Sequence, residues 1–395
     1  MADIQTRRAG SVGVVETQYA DLPEPFELEC GAVLKRVRIA YETYGALSAE
    51  RDNVILICHA LSGDAHAAGW SATPDVPSAL DGFKADERGV RQRGGLGWWD
   101  GMIGPGKPFD TERYFLLSSN LLGGCRGTTG PSSVDPDTGR PYGSRFPVIT
   151  VGDMVRAERA LLDVLEIPML LATAGASLGG MQGLDWAIRY PDDVRGVIAI
   201  GACARIDPQG MAWNAIARNA IMADPDWQGG DYYGTGRAPT RGMGVARQLG
   251  HVTYLSRQSL REKFGRSLQD RAEYSYSLHE ADFAVESYLR HQAAKFVDRF
   301  DANTYLLLSR ALTYFDLDRT GPAERAKAST LLISFTSDWL YPAGASRELH
   351  DLLAAAGKEV AWHNLETSYG HDSFLLEEAV QAPIISSFLE RLHGR

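Results

Sequence analysis

The chain has 395 residues, 44% of them apolar and 23% charged, a composition that can bury a large core and excludes a disordered polypeptide. Its 40 Lys and Arg against 50 Asp and Glu leave a formal charge of −10, which sets the average field against a nucleic-acid partner. At roughly 150 residues per domain the length fits two or three units, or one large α/β domain carrying an insertion.

In chain order, VRIAYETYG at 37–45, NVILICHAL at 53–61 and YFLLSSNLLG at 114–123 are short apolar runs bounded by turn residues and read as strands. Between them, 70–97 is rich in Pro, Gly and charge and reads as a long exposed loop. The run 154–167 spaces Val155, Leu161, Leu162, Val164 and Leu165 as one face of a helix. A buried strand at 169–177, a helix over 179–190 stopped by Pro191, and a strand at 194–202 follow. Strand alternating with helix predicts a mostly parallel sheet covered on both faces. From 206 to 320 the pattern turns helical, over 210–223, 241–254, 279–300 and 302–317, and predicts a helical lid inserted into the sheet domain. Strand patterns resume at 329–337 and 358–366. The predicted organisation is a catalytic core of 1–205 and 321–395 interrupted by the lid at 206–320.

The N-terminal residues hold no apolar run of signal-peptide length, and the longest apolar stretches fall short of the ~18 residues of a membrane span, so a soluble cytoplasmic protein is expected. Cys30, Cys58, Cys125 and Cys203 show no CxxC or metal-ligand spacing and read as reduced thiols, Cys58 and Cys203 packed at strand ends. His59 and His66 lie seven apart without a third ligand, so packing is the expectation and no metal is. Residues 101–107 mimic a GxxxxGK phosphate loop, but Pro108 stands where Ser or Thr is required.

Gly175-Ala176-Ser177-Leu178-Gly179 matches G-x-S-x-G directly after an apolar strand and before a helix, where the motif has mechanical meaning. Such a turn projects the Ser177 hydroxyl from the sheet edge and leaves the Leu178 N–H free to face an oxyanion. A serine nucleophile needs a base and the base an orienting carboxylate, in chain order Ser, acid, His. Asp338 ends one predicted strand and His371 follows the next, both on loops at strand carboxyl ends.

YETYG at 41–45, CHALSGDAH at 58–66, GWWDGMIGPGKPFDT at 97–111, NLLGGCRGTTGPSS at 120–133 and GASLGGMQ at 175–182 resemble the homoserine O-acetyltransferase family of α/β-hydrolase-fold acyltransferases. The likeness continues through RQLGHVTYLS at 247–256, ESYLRHQ at 286–292, RFDANTYLLL at 299–308, FTSDWLYP at 335–342 and GHDSFL at 370–375. It implies an α/β-hydrolase fold, transfer of an acetyl group from acetyl-CoA as co-substrate to the side-chain hydroxyl of L-homoserine in methionine biosynthesis, no bound cofactor, and a homodimer. By motif it makes Ser177 the nucleophile, His371 the base, Asp338 its orienting acid, the backbone N–H groups of Leu61 and Leu178 the oxyanion hole, and Arg247 and Asp372 the substrate contacts. Arginine suits an α-carboxylate and aspartate an α-ammonium. In the family's succinyl-selective members an arginine tends to follow the Asp-Trp pair; Leu340 stands there, which favours acetyl over succinyl. L-Serine as acceptor, and a serine esterase using the same triad, are the competing readings. Because CoA is polyanionic, Arg or Lys from the lid is expected at the mouth of the site.

Overall fold

The computed structural model describes residues 10–72 and 95–394. Most of the loop expected at 70–97 therefore lies outside the described residues; at its roots Trp70–Ser71 pairs in parallel with Val14–Val15, and Trp70 bridges Leu96.

An eight-stranded sheet is built from β1 (Gln18–Asp21), β2 (Arg38–Tyr44), β3 (Val54–Cys58), β4 (Phe115–Ser119), β5 (Leu170–Ala176), β6 (Val194–Ile200), β7 (Ser329–Phe335) and β8 (Val360–Leu365). Its spatial order is β8-β7-β6-β5-β3-β4-β2-β1. Neighbours from β8 to β4 run parallel, and β2 pairs antiparallel with both β4 and β1. The central strands VILIC, LLATAGA and STLLISF are buried along their whole length, as a strand covered on both faces must be. Alternation divides them: Leu56 and Cys58 join one core layer with Met154, Leu161 and Met181, whereas Ile55 and Ile57 join the other with Ile385, Phe388 and Leu389.

Two helices flank the centre, α1 (Val151–Val164) and α2 (Leu178–Arg189). α1 starts three residues before its apolar face suggests because Thr150 and Asp153 form a reciprocal capping box, a device that contributes about 1 kcal/mol. Between β6 and β7 come α3 (Pro208–Met222), α4 (Thr240–Tyr254), α5 (Arg257–Phe264), α6 (Ala284–Val297) and α7 (Ala302–Tyr314). The helix expected over 279–300 begins only at Ala284, because Asp282 and Ala284 are bonded back to Gln269 and Ser267. The helix expected over 302–317 stops at Tyr314, where the chain turns back to the sheet: the Leu317 N–H donates to the Ala204 carbonyl at 2.8 Å. α8 (Ala343–Ala355) and α9 (Glu378–His393) complete the layers. No helix of the described residues is long and apolar enough to cross a membrane. Cys58 and Cys203 are buried and all four thiols are free.

In the parallel register Cys58 lies beside Gly175, Ala176 beside Ile200, Ile200 beside Ile333 and Phe335 beside Leu365. The carboxyl ends of five strands thus align, and the loops leaving them converge on one edge.

Candidate active site

Ser177 is alone between the last residue of β5 and the first of α2, at φ 56°, ψ −123°. For a non-glycine residue this conformation costs about 1–3 kcal/mol and persists only where the surroundings impose it. They do so here. The Ser177 N–H donates to the Ile200 carbonyl at 2.8 Å and its own carbonyl accepts from Met181 at 3.1 Å. A Cβ at Gly179 would stand 2.0 Å from the Cys58 carbonyl oxygen, so the first turn of α2 rests on the end of β3 with no room for a side chain.

Asp338 sits three residues past β7. Its Oδ1 accepts from the N–H groups of Leu340 at 3.0 Å and Tyr341 at 2.9 Å, which leaves Oδ2 for His371 Nδ1 at 2.7 Å. Both side chains are buried. Burial pulls the imidazole pKa down, but the charge and hydrogen bond of Asp338 outweigh it, and His371 lies above its ordinary value. With the Nδ1 proton held on Asp338, Nε2 is the basic nitrogen. Tyr341 and Phe374 pack edge-on against the ring, at centroid separations of 5.2 and 5.6 Å.

The loops of Asp338 and His371 are also tied to the carboxyl end of α4. Trp339 Nε1–H donates to the Leu255 carbonyl at 3.0 Å, and the Ser256 hydroxyl donates to the Ser368 carbonyl. Gly370, at φ 74°, passes so close that a Cβ there would lie 2.5 Å from the Tyr254 carbonyl oxygen.

One pocket opens over Ser177, walled by Ala60, Leu61, Ser62, Gly63 and Trp98 from the core edge, by Arg247 and Tyr254 from α4, and by His371, Asp372, Phe374 and Leu375. Five residues singled out in the sequence, Leu61, Ser177, Arg247, His371 and Asp372, therefore share it. Asp338 stands behind His371, and Leu178 contributes its backbone at the first turn of α2, where N–H groups have no intrahelical acceptor. The Leu61 side chain packs against the core.

Arg247 and Asp372 are 6% and 4% exposed, yet neither forms an ion pair among the described residues, and Arg247 Nε and Asp372 Oδ2 lack hydrogen-bond partners. The Arg247 guanidinium stacks instead on Phe296, 4.6 Å from the ring centroid. Burial pushes the Asp372 carboxyl up to about 6, against the opposing pull of His371 and Arg247. Unpaired buried charges are expensive. Here two of opposite sign line one pocket.

Sequence reasoning missed Tyr254, Trp98 and Phe374. Tyr254 was within reach, since it lies seven residues after Arg247 on the same face of α4. His66 is not merely packed: its Nδ1 lies 2.9 Å from the buried Glu42 carboxylate, and this partner holds its pKa up against burial. Lys107, the lysine of the discounted phosphate loop, is bound to Asp100.

Residues 53–377 match the family model described as the α/β-hydrolase fold, so the protein is an α/β-hydrolase-fold enzyme with Ser177 at the strand-to-helix turn. Curated relatives narrow the class. The chain is 48% identical over 389 residues to the homoserine O-acetyltransferase of Methanosalsum zhilinae, covering 98% of this chain and 75% of that protein. It is 44% identical over 399 residues to that of Deferribacter desulfuricans, covering 98% and 99%. The chain belongs to the homoserine O-acetyltransferase family. Among solved structures it is similar to the homoserine O-acetyltransferase of Bacillus anthracis, with a TM-score of 0.83 and 27% identity over 94% of this chain and 97% of that one. It is also similar to esterase E22, with a TM-score of 0.82 and 30% identity over 95% of this chain and all of that one.

Proposed function

We propose that the enzyme transfers the acetyl group of acetyl-CoA to the side-chain hydroxyl of L-homoserine through an acyl-serine intermediate. The observation that carries this reading is the buried, unpaired couple of Arg247 and Asp372 on the pocket of Ser177 and His371. Arg247 takes the α-carboxylate and Asp372 the α-ammonium, which presents the side-chain hydroxyl toward Ser177. An esterase for simple acetyl esters has no use for such a couple.

Ser177 attacks the thioester carbonyl while His371 Nε2 takes its proton, and the C–S bond breaks as that proton passes to the leaving thiolate. The N–H groups of Leu61 and Leu178 hold the tetrahedral oxyanion. Homoserine then enters, His371 removes its hydroxyl proton, the new oxygen attacks the acyl carbon, and the proton returns to Ser177 as the ester leaves. Residues 206–320 are read as a lid that keeps water from the acyl-serine. Acetyl rather than succinyl is supported by Leu340, an apolar residue packed on the core beside the Asp338 loop. Arg299, after α6, donates to the Ser62 carbonyl on the pocket wall at 3.2 Å and is assigned to the negative charge of CoA. Homodimerisation is supported by exposed Met211, Ile216 and Met222 on α3, and light scattering tests it.

The decisive experiment incubates the enzyme with acetyl-CoA, with and without homoserine, and follows thiol release and product mass. Release that depends on homoserine and yields the O-acetyl amino acid is expected. Fast release without homoserine overturns the transferase reading in favour of hydrolysis.

A further inference from the structure

The pocket wall at Ala60–Gly63 is a single β-turn, closed by the Gly63 N–H donating to the Ala60 carbonyl at 2.9 Å. Leu61 is its second residue, so the N–H assigned to the oxyanion hole belongs to the same peptide unit as that carbonyl. In a planar trans peptide the C=O and N–H point in opposite directions. Whatever fixes the Ala60 oxygen therefore also aims the Leu61 N–H.

His59 does this. Its ring is 1% exposed, and Nδ1 lies 2.7 Å from the Ala60 oxygen. That oxygen only accepts, so Nδ1 carries the proton and donates it. On the far side of the ring, the Leu121 N–H donates to Nε2 at 3.2 Å, which selects the same tautomer. Burial lowers the His59 pKa and keeps the ring neutral, so Nε2 stays an acceptor for Leu121 although Asn120 Oδ1 also lies 3.1 Å away. Gly63 closes over the ring, where a Cβ would stand 2.9 Å from His59 Cβ and 3.0 Å from Nδ1. Gln182 of α2 completes the brace, its Nε2 donating to the Leu178 carbonyl at 3.1 Å and to the His59 carbonyl at 3.5 Å.

We infer that His59 is a positioning residue for catalysis: its Nδ1–H, by holding the Ala60 carbonyl, pre-aims the Leu61 amide at the oxyanion. The inference rests on the acyl-serine reading above and names the device that keeps one of its two donors in place. His59 does not line the pocket and forms no bond in the proposed cycle; it acts through one peptide plane.

The test compares His59→Asn with His59→Leu. Asparagine places an amide N–H where Nδ1–H stands, leucine has the same branching without a donor, and both lack the Nε2 acceptor, so the difference isolates the bond to Ala60. Steady-state kcat and KM for both substrates are measured, with melting temperature as the fold check. H59L should lose about 10²–10³-fold in kcat, the effect of one oxyanion donor, with KM values within about threefold of wild type. H59N should stay within about tenfold. Equal losses in the two variants, a loss carried by KM, or wild-type kcat in H59L overturns the inference. If H59L does not fold, Gly63→Ala takes its place, since the new methyl displaces the ring from Ala60; wild-type kcat in folded G63A is then the overturning result. Ser177→Ala is run alongside. Turnover in S177A sinks the acyl-serine reading itself, whereas a dead S177A with an unimpaired H59L sinks only the role of His59.

Discussion

Asp338 divides its two carboxylate oxygens between tasks: Oδ1 is fixed by the Leu340 and Tyr341 amides, and Oδ2 alone faces His371 Nδ1, at 2.7 Å. The backbone thereby decides which oxygen meets the imidazole. Asp338→Asn keeps the shape but can present an N–H to Nδ1, forcing the proton to Nε2 and removing the base. A loss of about 10⁴ in kcat with an unchanged melting profile is expected, read by single-turnover acetylation of Ser177.

The pH profile follows from the same pair. His371 must be neutral to act as a base, and Asp338 holds its pKa above the ordinary imidazole value. The acid limb of kcat/KM for acetyl-CoA should therefore fall above about 6.5. In Asp338→Asn, burial is left to dominate, so the residual activity should show its limb at lower pH. A limb that does not move with the substitution would show that another group titrates.

Asp372 gives a second pH effect, read in the KM for homoserine. Its carboxyl sits at about 6, so protonation below that pH removes the anion assigned to the α-ammonium. KM for homoserine should climb as pH falls through about 6, an effect on top of the acid limb that His371 imposes on acetylation of Ser177. Asp372→Asn should raise KM for homoserine by about 10- to 100-fold, the loss of one charge-assisted bond, and flatten its pH dependence.

Arg247→Lys keeps the charge but removes the planar fork and its stacking on Phe296. KM for homoserine should rise about tenfold or more, with little change in the homoserine-independent half-reaction. An equal effect on both half-reactions would place Arg247 outside the acceptor site.

Gly179→Ala tests the packing that strains Ser177. The added methyl cannot coexist with the Cys58 carbonyl, and α2 must retreat from β3. A stability loss of about 1–3 kcal/mol, measured by denaturant unfolding, should accompany a fall in acetylation rate as Ser177 relaxes.

Much of this arrangement was legible in the residues. The elbow Gly175–Gly179, the central strands and the order of Ser177, Asp338 and His371 follow from apolar runs and turn chemistry that tertiary packing reinforces. β1 was not legible: one of its four residues is buried, and its conformation comes from pairing with β2. α5 was missed for a similar reason, having no buried residue and a polar sequence held by the Ser256 cap. Arg247 and Asp372 were named through family likeness, because lone charges carry no periodicity. Their lack of partners is a property of three-dimensional neighbours. His59 read as packing because its bond to the next residue's carbonyl leaves no mark on spacing.

The hydrogen bonds from Trp339 to Leu255 and from Ser256 to Ser368, with the close passage of Gly370 past Tyr254, have a mechanical consequence. Arg247 and Tyr254 ride on the helix that is tied by these contacts to the loops bearing Asp338 and His371. That side of the pocket therefore cannot shift without disturbing the loops that carry Asp338 and His371, so the wall and the imidazole are positioned together.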